Sequence, residues 1–123
     1  MIYVLTQKNN QYNAAYGLID GSTRLLPDGV TKNPNPTYVN NASGMVQVLD
    51  PSGNPVIIGP GSATTVAATY IAGSNGDYLF LITNVFNPPV GTGYKIVVDL
   101  TAPGGFIGHW ELDAVVKVRK TPA

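Results

Sequence analysis

The sequence predicts an all-β fold in one domain, and three observations lead there. Its 123 residues fit one domain and leave little room for a second. The 14 glycines and 10 prolines cut the apolar stretches into runs of strand length separated by turn clusters. That is the pattern of a β-sandwich or barrel. No stretch sustains the apolar spacing of an amphipathic helix.

Residues 2–6 and 12–19 are the first β-prone runs. Pro27-Asp28-Gly29 and Asn33-Pro34-Asn35-Pro36 then predict a long loop, restricted in φ and short of amide donors. A strand follows at 44–49, and Asp50-Pro51-Ser52-Gly53-Asn54-Pro55 turns it into a short one at 56–58. Residues 63–71 are rich in β-branched side chains and set Val66, Ala68 and Tyr70 on one side. The turn Gly73-Ser74-Asn75-Gly76-Asp77 leads into 78–83, a continuous apolar run predicted to be central and buried on both faces.

In the next strand Tyr94, Ile96, Val98 and Leu100 share one face, with Lys95, Val97 and Asp99 on the other. Thr101-Ala102-Pro103-Gly104-Gly105 supplies a hairpin connection. The final strand is the clearest. Phe106, Gly108, Trp110, Leu112, Ala114, Val116 and Val118 alternate with Ile107, His109, Glu111, Asp113, Val115, Lys117 and Arg119. Side chains alternate faces along a strand, so this one is half buried. Trp110, Leu112, Val116, Ile96, Val98 and Phe80 are expected to meet in one core. About seven strands result, with no internal repeat.

The order of the turns carries a resemblance. Val46-Gln47-Val48-Leu49-Asp50-Pro51-Ser52-Gly53-Asn54-Pro55-Val56 is followed by Gly76-Asp77-Tyr78, by Gly91-Thr92-Gly93-Tyr94-Lys95-Ile96, and by a last strand around Gly108-His109-Trp110-Glu111. Over about residues 37–119 this resembles immunoglobulin-like modules, in particular those of tailed-bacteriophage virion proteins and bacterial surface repeats. The resemblance implies a single antiparallel immunoglobulin-like β-sandwich over 37–123, with 1–36 as an irregular N-terminal extension or its first strands. It implies a structural or adhesive role and no reaction. The absence of cysteine and of a signal peptide favours the phage version, a capsid-decorating or head-to-tail joining protein. Its partners would be capsid or tail subunits in many copies, and its location the virion, after synthesis in the host bacterial cytoplasm. The alternative is a carbohydrate- or cell-surface-binding sandwich module.

Composition removes other classes. Seven basic and seven acidic residues balance to a net charge of zero, which disfavours nucleic acid and anionic membranes as partners. Charged residues are only 11%, so the surface is either rich in Asn, Thr, Ser and Gly or covered by neighbours. With no cysteine and one histidine, thiol nucleophiles, Cys-type zinc sites and His-His metal centres drop out. No apolar run is long enough to span a membrane as a helix.

Among titratable clusters, only His109, Glu111 and Asp113 invite a test. They share one face of the last strand, with neighbours about 7 Å apart. That spacing suits paired glycosidase carboxylates, but hydrolysis needs a concave site, so a solvated face with cross-strand partners such as Lys95 or Lys117 is the expectation. Asp50, Asp77 and Asp99 read as turn-capping or strand-end residues rather than calcium ligands. The glycine pairs precede neither a helix nor a lysine and are no phosphate loops. Tyr70, Tyr78, Tyr94 and Trp110 are assigned to the core. Catalytic residues, cofactor, metal and small-molecule substrate are accordingly expected to be absent. The expected interface is N-terminal, carried by Ile2, Tyr3, Val4, Leu5, Tyr12 and Tyr16, some of it by adding a strand to a neighbour's sheet. The other possibility is that this third supplies the first strands of its own sheet.

Overall fold

The two longest alternating segments pair along nearly their whole length and lie inside the sheet, each flanked by strands on both sides. The computed structural model describes residues 2–105 and 107–118. They contain strands β1 (Tyr3–Thr6), β2 (Gln11–Ala15), β3 (Ser43–Leu49), β4 (Val66–Tyr70), β5 (Tyr78–Ile82), β6 (Gly91–Thr101) and β7 (Ile107–Lys117). These join in one mixed sheet, ordered β1-β7-β6-β3-β4-β5-β2 and nearly closed into a barrel.

The predicted faces of β6 and β7 are the observed ones. Val46, Val98 and Trp110 lie in one cross-strand row, and Val48, Ile96 and Leu112 in the next. Val46, Val48, Ile96, Val98, Leu100, Ala114 and Val116 are buried on this inner side. Burying each of the larger aliphatic side chains stabilises the fold by roughly 1.5–3 kcal/mol. The β6–β7 register slips between Thr92 and Tyr94, where Gly93 has φ of 84°. Such a glycine bulge adds one residue and turns Tyr94 inward. At Gly44 a Cβ would fall 1.8 Å from the Asp99 carbonyl oxygen, so the approach of β3 to β6 tolerates no side chain there.

β4 changes partner midway. Val66, Ala67 and Ala68 pair with β3, whereas Thr69 and Tyr70 pair with β5. Through this strand the β1-β7-β6-β3 half joins the β5-β2 half, and Phe80, Ile82 and Tyr78 of β5 close the core from the far side.

Several expectations need correction. The sheet is mixed rather than wholly antiparallel, because β1 runs parallel to β7. Residues 56–58 form no strand. Pro55 lacks an amide donor, and the segment follows β3 only through Val56 N–H to Val48 O at 2.9 Å before Ile58 N–H turns to Ala63 O at 2.9 Å. β2 ends at Ala15, short of Ile19, because Gly17 reverses the chain with φ of 73°. In β5 only Tyr78, Phe80 and Ile82 are buried; Leu79 and Leu81 face outward, half buried. Trp110, Leu112 and Tyr70 pack against the core but stay partly exposed, Trp110 lying beside Gly108 and Leu18. Outward-facing Val97, by contrast, is buried between Gln47 and Glu111 in the register. Phe106 and Arg119, assigned to faces of the last strand, lie outside the described residues, as does Met1.

The first third is held by the same sheet. Leu5, Ala15 and Leu18 are buried in the common core. The phenol of Tyr78 is fully buried; it donates to Val39 O at 2.7 Å and accepts from Ala42 N–H at 3.0 Å. Residues 19–38 fold back as an irregular hairpin, bridged at Ile19–Tyr38 and Leu25–Lys32. Its prolines leave few amide donors, as expected, but most of those present are paired within the hairpin rather than left for another protein. Asp28 Oδ1 accepts from the N–H groups of Val30 and Thr31, both at 2.9 Å, and Asn33 N–H donates to Arg24 O at 2.8 Å. These bonds to its charged form, the one from the Thr31 hydroxyl foremost, hold the Asp28 carboxyl below the usual range. An aspartate two or three residues before the donors supplies what the prolines remove.

Candidate functional site

β7 and β6 bring His109, Asp99 and Glu111 together on the outer face. Asp99 is directly opposite His109 across the strands, and Glu111 is two residues along the same face. In its protonated form the ring donates from Nδ1 to Asp99 Oδ1 and from Nε2 to Glu111 Oε2 at 3.2 Å. The Asp99 hydrogen bond first, and the Glu111 bond second, raise the histidine pKa above its ordinary value of 6.5. Asp113 does not join them; it faces Lys95 Nζ at 3.6 Å. All these side chains are about half exposed or more. Both ring nitrogens are thus engaged by carboxylates on an open strand face. Among the described residues no group of His, Asp and Glu is placed to hold a metal ion.

A concave feature lies next to this cluster. Tyr16, Gly17, Leu18, Ile19 and Arg24 from the β2–β3 connection face Ile107, Gly108, His109 and Trp110 across a groove of about 370 Å³. The wall is set by Asp77, whose Oδ1 accepts from Gly17 N–H at 2.9 Å, and by Gly76 O, which accepts from Leu18 N–H at 2.9 Å. Gly76 has φ of 71° and touches the Leu18 backbone so closely that a Cβ would sit 2.5 Å from its carbonyl oxygen. The groove thus combines an indole, a phenol, a guanidinium and an imidazole. Sequence reasoning weighed Tyr16, His109 and Trp110 separately and passed over Arg24; two segments some 90 residues apart face each other only in the fold. A second groove, of about 410 Å³, is lined by Pro55, Val56, Ile57, Val85, Asn87, Pro88 and Pro89 and contains no charged side chain.

The six residues expected at an interface do not share one environment. Ile2, Val4, Tyr12 and Tyr16 are exposed and Tyr3 is half buried. Leu5 is 0% exposed and belongs to the chain's own core, because the inward face of β1 packs beside Val116. β1 and β2 also lie at opposite ends of the strand order, so these residues divide between two sheet edges. Asp50 does cap its turn, accepting from Ser52 N–H and Asn54 N–H at 2.9 Å each.

No known family model and no curated protein matches the chain. Among the described residues no helix is long and apolar enough to cross a membrane.

Proposed function

We propose that the chain is a non-enzymatic structural protein of a tailed-phage virion, decorating the capsid or joining head to tail, and acting through protein-protein contacts. The observation that carries this reading is the strand order. β1-β7-β6-β3 reads as one layer of an immunoglobulin-like sandwich and β4-β5-β2 as the other, with β4 passing between layers at its change of partner. A parallel pairing of first and last strands fits that arrangement. Fold alone does not assign function; the sparse charge and the exposed apolar side chains Tyr12, Val30, Met45 and Ile107 add support for surfaces covered by neighbours. On this reading residues 37–123 carry β3 to β7 of the sandwich, and 1–36 contribute its edge strands β1 and β2 and most of the irregular hairpin. The test is mass spectrometry of purified particles from a lysate of the producing cells, with the gene's neighbours read alongside. Recovery in stoichiometric amounts beside capsid or tail subunits is expected. Particles complete without the chain overturn the reading.

The groove between Tyr16, Arg24 and Trp110 favours a second reading, a carbohydrate-binding module, since aromatic faces beside hydrogen-bond donors suit sugar rings. Retention of the isolated chain on cell-wall glycans, lost in Tyr16→Ala, would select it.

A further inference from the structure

We infer that β2 is a self-association edge, pairing antiparallel with β2 of a second copy across a two-fold axis at Asn13. This deepens the structural reading above, on which it rests, by naming one partner as another copy of the chain. Among the described residues β2 has a strand neighbour on one side only, β5. Its sequence, Gln11-Tyr12-Asn13-Ala14-Ala15, contains no charge and no proline, and its pairing with β5 contains no bulge. It therefore lacks the charges, prolines and bulges by which many edge strands are kept from pairing.

The outer face beside this edge has the same character. Tyr12 lies opposite Leu81, and Ala14 opposite Leu79, which in turn faces Thr69. Tyr12 is 68% exposed, and the row holds no charged side chain. The other edge strand, β1, is shorter, and its outer face runs on to Lys117 and towards Asp113. A two-fold contact at β1 would have to match the Lys117 end of one copy to the Asp113 end of the other, whereas the row at β2 needs no charge matched. With zero net charge, two copies do not repel at long range.

The register argues for a second copy rather than an unrelated strand. Centring the axis on Asn13 uses all five residues of β2, setting Gln11 against Ala15 and Tyr12 against Ala14 of the second copy. Each large tyrosine then meets a small alanine. The outer row reads Leu81, Tyr12, Ala14, Leu79 across the junction and the same in reverse beside it. Such an isologous contact is self-complementary, closes at two copies, and gains main-chain hydrogen bonds along with apolar burial.

Sedimentation velocity over a concentration series tests association, and cysteine cross-linking tests register; the chain has no native cysteine. The unsubstituted chain is expected to shift from monomer to dimer mass, and Tyr12→Lys with Ala14→Lys to remain monomeric with unchanged far-ultraviolet circular dichroism. Mixed Tyr12→Cys and Ala14→Cys chains are expected to form a disulfide heterodimer, far more than either variant alone. Three outcomes overturn the proposal: a monomer at every concentration, a dimer that survives both lysines, or equal cross-linking in the mixed and separate samples. If the lysine variant misfolds, the cross-linking arm still decides. None of these outcomes touches recovery of the chain in particles, which tests the broader reading separately.

Discussion

Removing one oxygen atom, in Tyr78→Phe, is expected to destabilise the protein substantially while leaving its packing intact. The ring stays fully buried in either variant. What disappears is the hydroxyl that donates to Val39 O and accepts from Ala42 N–H. Both of those backbone groups belong to buried residues, so each is left without its partner, at a cost of about 1–3 kcal/mol per group. Relief from burying the hydroxyl itself offsets part of this, and a net loss of roughly 2–3 kcal/mol remains. For a chain of this size that corresponds to a fall in Tm of roughly 8–12 °C. The assay is urea unfolding followed by Trp110 fluorescence, with Tyr70→Phe as the comparison. Tyr70 Oη also donates, to Ser74 O at 2.5 Å, but within a local and partly buried turn, so its loss should be about 1 kcal/mol or less. Equal midpoints for Tyr78→Phe and the unsubstituted protein would refute the claim that one phenol pins residues 39–42 to the barrel.

Gly44→Ala should be among the most damaging single substitutions, about 3 kcal/mol or more, because its Cβ would meet backbone rather than a movable side chain; chemical denaturation measures it. As the chain's one histidine, His109 gives an unobscured proton NMR titration, expected above 6.5 and returned towards that value by Asp99→Asn. Its folded pKa is the raised one, so the stabilisation is fully present below 6.5 and fades as pH rises through the folded value. The Asp28 carboxyl has the opposite sign: its folded pKa is lowered from 3.8, so its support of the hairpin is present above that value and lost as pH falls through the folded one. Hydrogen exchange at Val30 and Thr31 should accordingly accelerate in Asp28→Ala.

The sequence alone determined the all-β class, the faces of the last two strands and the capped turn at Asp50. These are local properties: a period of two along 94–100 and 107–117, and turn residues whose φ preferences act within four positions. The bulge was also legible in principle, since a left-handed bulge position calls for glycine and Gly93 stands just before the inward Tyr94. Tertiary structure decided the rest. That β1 runs parallel to β7 depends on contact between the two ends of the chain, and no local pattern specifies it. Leu5 could be read as an arm residue only while its partner Val116 was unknown. The prolines do leave the hairpin few amide donors, but Val30 and Thr31 pair theirs within it, because Asp28 supplies a side-chain acceptor. Alternation puts Trp110 on the apolar face and predicts its burial, yet it lines the groove and stays partly exposed. The groove it shares with Tyr16 and Arg24 exists only because Asp77 and Gly76 hold the chain reversal at Gly17 against the mouth of the sheet. Alternation tells which side of a strand a residue faces, while the neighbouring strands and loops decide what covers it.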